Sequence, residues 1–108
     1  MVNSRVRRGR ETQVLLAEYW RPYWPEAASN PASLRGRDIL GVPFSCEVKA
    51  RREFRPVEWA KQAAKNSVED APTVVVMRPD GMGREQIDNW LMFMRLVEGT
   101  ELLRKAGF

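Results

Sequence analysis

The sequence contains no histidine and a single cysteine, Cys46. Without an imidazole there is no histidine general base, no histidine metal ligand and no Ser-His-Asp triad. A lone thiol forms no intramolecular disulfide. With no histidine to activate it, Cys46 reads as a small buried hydrophobe rather than a nucleophile. No apolar run approaches the ~20 residues of a membrane-spanning helix. The N-terminus is basic and lacks the apolar core of a secretion signal. These absences lead us to expect a soluble, reduced, cytoplasmic protein with no membrane partner. The 108 residues leave room for one domain, 1–108, and a modest core, so pairing into a homodimer would add stability.

Charge is what the chain has in excess. Lys and Arg total 18 against 14 Asp and Glu, and arginine supplies most of the difference. Arginine meets phosphate oxygens through two parallel hydrogen bonds, so the balance favours a polyanionic partner. Arg5, Arg7, Arg8 and Arg10 crowd into residues 1–10. We read these residues as a basic, mobile N-terminal arm, placed either to neutralise phosphates or simply to solubilise.

Residues 38–49 organise the rest. Phe44, Cys46, Val48 and Ala50 alternate with Ser45, Glu47, Lys49 and Arg51. That period of two predicts a strand with one face buried and Glu47 and Lys49 together on the other. Gly41-Val42-Pro43 reads as a turn. If Asp38-Ile39-Leu40 is the preceding strand, the hairpin sets Asp38 opposite Glu47, with Cβ atoms about 5 Å apart. Two carboxylates that close repel each other unless a cation lies between them. Mg²⁺ suits such a pair because it favours carboxylate oxygens and keeps waters for substrate phosphates. The plain alternative is a solvated polar strand face.

Gly36-Arg37-Asp38 followed by Glu47-Val48-Lys49 resembles the PD-(D/E)xK nuclease signature, with Arg37 where the family has proline. Glu11, in Arg8-Gly9-Arg10-Glu11, resembles the helix-borne acid of the Holliday-junction-resolvase branch. Gln62 matches a polar position on the helix after the Glu-x-Lys strand. The resemblance covers residues 8–77. It implies a restriction-endonuclease-like α/β fold, an αβββαβ core with a mixed central sheet flanked by helices. It also implies a Mg²⁺-dependent endodeoxyribonuclease, with Mn²⁺ able to substitute. Catalysis would fall to Glu11, Asp38, Glu47, Lys49 and Gln62. Asp38, Glu47, Glu11 and the Val48 carbonyl would hold the metal. Arg7, Arg8, Arg10, Arg37, Arg51 and Arg52 would grip DNA, branched or junction DNA above all. Compact stand-alone nucleases of this kind resemble bacteriophage recombination and repair enzymes that act as homodimers in the host cytoplasm.

Along the chain, helical spacing predicts a first helix from Gly9 or Arg10 to Tyr19 or Trp20, ended by Pro22. On spacing alone, Glu11 is either a first-turn acid favoured by the helix dipole or a group aimed at a site. The aromatic run 19–25 is read as packing, with base stacking as the alternative. Residues 26–33 read as a flexible loop and 32–34 as a short first strand. Arg51, Arg52 and Arg55 form a basic cluster beyond Lys49. Pro56 opens a second helix running to about Ser67, whose apolar stripe is Val57, Ala60, Ala63 and Ala64. On it, Gln62 is either a site residue or an ordinary surface glutamine. Residues 73–77 read as a buried central strand parallel to the Glu-x-Lys strand, 89–96 as a last strand, and 99–105 as a final helix. A non-catalytic nucleic-acid-binding protein on the same scaffold is the main rival reading. A protein–protein adaptor docking through the Trp-rich segment is the third.

Overall fold

Thr73-Val74-Val75-Val76-Met77 is buried at every position. β-Branched residues without polar alternation demand cover on both faces, and the fold is arranged to provide it. The computed structural model describes residues 4–31, 36–67 and 71–108. Its elements are α1 (Ser4–Trp20), β1 (Ala28–Ser29), β2 (Ile39–Leu40), β3 (Ser45–Lys49), α2 (Pro56–Lys65), β4 (Thr73–Met77), a 3-10 helix (Arg84–Asn89), β5 (Leu91–Phe93) and α3 (Leu96–Lys105). β4 is the middle of a three-stranded mixed sheet in the order β3-β4-β5. β3 lies parallel to it, with Glu47 beside Val75 and Lys49 beside Met77. β5 runs antiparallel on the other side. β1 and β2 form a separate antiparallel ribbon. The chain is therefore mixed α/β, with helices against a mixed sheet.

Each sheet face has its own helix. Thr12, Leu16 and Trp20 recur every four residues along α1 and, with Ala17, are buried. Leu16, Ala17 and Trp20 pack on Ile39, Val42, Cys46, Val48, Val74, Val76 and Trp90. Burying each large apolar side chain contributes about 1.5–3 kcal/mol. The aromatic run closes one end of this layer, where Trp20, Trp24 and Phe44 meet edge to face with centroids 5.1–5.7 Å apart. Tyr23 stays exposed. On the opposite face, Trp59 and Ala63 of α2 pack on Val75 and Met77.

Several sequence expectations are corrected. α1 begins at Ser4, so residues 4–10 are its first two turns and not a separate arm. Ala28–Ser29 is a strand inside the expected loop, with Ala27 and Asn30 buried. The strand expected at 32–34 lies outside the described residues. β3 is buried on both faces, because α2 covers the side on which Glu47 and Lys49 stand. The buried stripe of α2 is Trp59 and Ala63, while Val57 is exposed. Trp59 wins because its ring reaches over the sheet and meets Phe54 at 5.9 Å, which the smaller stripe cannot do. The last strand shortens to Leu91–Phe93 and the final helix starts at Leu96.

One glycine fixes the turn before β3. Gly41 has φ +77°, and a Cβ there would run into the Glu26 carbonyl. The close approach docks the 41–44 turn against the start of β1, which aims β2 and Asp38 at β3.

Candidate active site

Asp38 reaches β3 through its own main chain and its own carboxylate. Its N–H donates to the Cys46 carbonyl at 2.9 Å. Its Oδ2 accepts the Val48 N–H at 2.7 Å. The two bonds bracket Glu47. Asp38 and Glu47 then line one cavity of about 290 Å³, with Lys49, Asn30, and Arg10 and Gln13 of α1 among its walls. Gln13 is fixed there by accepting a hydrogen bond from Ser29 Oγ at 3.1 Å.

Lys49 is held from two sides. Its Nζ donates to Gln62 Oε1 at 2.7 Å and lies 3.5 Å from Glu47 Oε1. Gln62 thus enters the site by orienting the ammonium, and α2 is the element that brings it. Lys49 also lines a second cavity of about 460 Å³ with Arg51, Arg52, Gln62 and Arg55, the last paired with Glu53 and Glu58 on the same wall, so that the cations still outnumber the acids there. The carboxylate cavity and the basic cavity therefore meet at Lys49 and Arg51.

The two acids are electrostatically uncomfortable. Burial pushes the Glu47 pKa up, and the Asp38 charge adds to this; Lys49 and the Asn66 amide only offset it. Burial likewise raises Asp38, against the Val48 hydrogen bond and Lys49. Glu47 Oε2 is buried and accepts no hydrogen bond. A bare carboxylate oxygen in a dry site costs about 1–3 kcal/mol or more. A divalent cation is the partner that would relieve both the repulsion and the orphaned oxygen. Among the described residues, no three Asp, Glu or Cys side chains cluster as a ready-made metal site. Mg²⁺ does not need three, since one or two carboxylates plus waters and phosphate oxygens complete its octahedron. The donors present fit such an ion. Cys46 lies just beneath with its thiol pKa pushed well up by burial and by both acids, which leaves it unreactive.

The remaining sequence-predicted residues divide. Arg10 lines the carboxylate cavity, and Arg51 lines both cavities. Arg52 lines the basic cavity and lies 3.5 Å from Asp80, with both side chains largely exposed. Arg7 is exposed on α1, and Arg8 reaches the Pro79 carbonyl at 3.4 Å. Arg37 is half-buried beside Asp38, with its carbonyl accepting the Asn30 amide. Val48 offers its N–H to Asp38 while its side chain sits in the core.

Glu11 is not brought to this cavity. Its Oε1 lies 3.1 Å from the Arg78 guanidinium, and its side chain is 56% exposed. Arg78 is buried and also donates to Thr12 Oγ1 at 3.2 Å and to the Met82 carbonyl at 2.8 Å, while stacking over Trp90 at 5.4 Å. The cluster ties α1 to the end of β4. Asn30 and Gln13 were missed by sequence reasoning. Nothing in Ala28-Ser29-Asn30 marks a strand that pairs back on Asp38. No protein-family model, curated protein or solved structure matches the chain. No helix among the described residues is long and apolar enough to cross a membrane.

Proposed function

We propose that the chain is a divalent-cation-dependent endodeoxyribonuclease of the kind its motifs resemble, a small PD-(D/E)xK enzyme on a restriction-endonuclease-like core, selective for branched DNA. The observation that carries this reading is the orphaned, buried Glu47 Oε2 beside Asp38, in a cavity whose one ammonium, Lys49, also faces an arginine-lined groove. A neutral ligand pocket has no use for two repelling acids. A phosphodiester next to a cation does.

In this reading Asp38 and Glu47 hold Mg²⁺ or Mn²⁺. An ion held there would supply a water of lowered pKa and positive charge to offset that of the phosphate. Lys49, steadied by Gln62, stabilises the negative charge that builds on the phosphoryl oxygens. Water adds to phosphorus as the P–O3′ bond breaks, leaving a 5′-phosphate and a 3′-hydroxyl. Arg10 of α1 and Arg51 and Arg52 beyond β3 flank the strand. Contacts of this kind position the backbone without reading bases, so DNA shape sets the preference. Two copies would set two nicks across a junction.

The test separates chemistry from binding. Glu47→Ala and Lys49→Ala should abolish Mg²⁺-dependent nicking of DNA while leaving DNA affinity within a few-fold of wild type. If the wild-type protein binds DNA yet leaves supercoiled and branched substrates intact with Mg²⁺ or Mn²⁺, it is a non-catalytic binding protein instead.

A further inference from the structure

Two polar side-chain atoms among the described residues are buried without a hydrogen-bond partner, Glu47 Oε2 and Asn30 Oδ1. Their residues line the same cavity, together with Asp38. Asn30 arrives there by backbone register. The ribbon pairs Ala28 with Leu40 and Ser29 with Ile39. One step further, the Asn30 N–H donates to the Asp38 carbonyl at 2.8 Å, so these two residues stand opposite each other. Directly opposed side chains share a face, with Cβ atoms about 5 Å apart.

The amide's orientation follows from its one side-chain bond. Nδ2 donates to the Arg37 carbonyl at 2.7 Å. A carbonyl can only accept, so the NH₂ group must lie on that side and the oxygen on the other. Asn30 is only 8% exposed. Its oxygen is therefore a dry acceptor with no donor to meet, lining the same cavity as the unpartnered Glu47 Oε2.

We propose that Asn30 Oδ1 is a third oxygen donor in the coordination of a divalent cation by Asp38 and Glu47. This rests on the cation-dependent function proposed above and adds to it a residue that the motif resemblance does not supply. Amide oxygens are ordinary ligands of hard cations. The assignment also accounts for the missing third acid, because Arg78 engages Glu11 elsewhere. A neutral oxygen adds a donor without a third negative charge beside Asp38 and Glu47.

The experiment is a Mn²⁺ titration of the full chain without DNA, followed by calorimetry and by the loss of the free-ion paramagnetic signal. Wild type, Asn30→Ala, Asn30→Asp and Glu47→Gln are compared, with metal-free thermal unfolding to verify that each variant folds. Wild type should bind Mn²⁺. Asn30→Ala should bind roughly tenfold or more weakly, the size of effect that loss of a supporting partner has at metal sites. Asn30→Asp, which keeps an oxygen but loses the donor to Arg37, should bind at least as tightly as wild type. Unchanged binding in Asn30→Ala overturns the assignment. So does equal weakening in both Asn30 variants, which would leave the residue with the Arg37 bond alone. Should Asn30→Ala fail to fold, Asn30→Asp decides, and weaker binding than wild type overturns the assignment. If wild type itself binds no Mn²⁺, the cation-dependent function falls and takes this with it. If wild type binds and Glu47→Gln does not, only the role of Asn30 is at stake.

Discussion

Glu47 and Asp38 make the stability of the metal-free protein depend on pH in an unusual direction. Both carboxyl groups have folded-state pKa values raised above the ordinary carboxylate range, by burial first and, for Glu47, also by the charge of Asp38. In the unfolded chain they return to about 3.9 and 4.3. Between the unfolded and folded values the native state holds more protons than the unfolded state. The stabilisation contributed by these two groups is therefore complete below their unfolded pKa values and is lost as pH rises through the folded ones. Glu47→Gln removes one of the two charges and keeps an acceptor for Lys49. The metal-free variant should gain on wild type as pH rises above about 4, where the unfolded carboxyls ionise while the buried ones still hold protons. A cation that binds only the native state supplies the opposite term. At a free concentration one hundred times its dissociation constant it adds about 2.7 kcal/mol. For a chain of this length that corresponds to a rise in melting temperature of roughly 10–20 °C. Thermal unfolding of wild type and Glu47→Gln across pH, with and without Mg²⁺ or Mn²⁺, reads both effects. The cation shift should shrink towards pH 4 as protons compete, and should be largely absent in the variant. A wild-type melting temperature indifferent to divalent cations at pH 8 would refute the reasoning. So would a stability difference between the two proteins that does not change with pH.

Other expectations follow from individual contacts. Arg78→Ala removes the tie between α1 and the end of β4 and should destabilise by about 1–3 kcal/mol in denaturant unfolding, the cost of leaving the Thr12 hydroxyl and the Met82 carbonyl without their donor. Glu11→Gln should cost less than about 1 kcal/mol, because that acid is largely exposed and screened, and should leave the cation-induced thermal shift intact. A lost shift in Glu11→Gln would instead place Glu11 at the ion. Gly41→Ala must clear the Glu26 carbonyl at a positive φ and should lower stability by about 2–4 kcal/mol, read by chemical denaturation. Neutralising Arg10 or Arg51 should weaken DNA binding uniformly across sequences and reduce the slope of log K against log salt by about one each.

The fold was legible where apolar residues had no alternative. The all-apolar run 73–77 and the proline-led helix at 56 follow from the sequence alone, and together with the alternating strand 45–49 they form the βαβ unit that carries Glu47, Lys49 and Gln62. Alternation misled only about exposure. It placed Glu47 and Lys49 on one face, which is where they stand, but could not reveal that α2 would cover that face. The ribbon of β1 and β2 was harder. Ala28-Ser29 carries no strand signal, and its pairing depends on Gly41 closing against Glu26, a long-range fit that local pattern does not encode. Asn30 was lost for the same reason. Glu11 shows the converse limit. Helical spacing placed it correctly on α1, yet the partner that engages it, Arg78, lies 67 residues away, where no local pattern could link the two.

The central claim is that Asp38 and Glu47 gather a divalent cation against a nucleic-acid backbone and that the backbone is cut there. It is tested most directly by incubating wild type and Asp38→Asn with end-labelled four-way junction, flap, single-stranded and linear duplex DNA in Mg²⁺ or Mn²⁺. The account predicts 5′-phosphorylated cuts in the branched substrates with wild type and none with the variant. Intact substrates throughout, or equal cutting by both proteins, would contradict it.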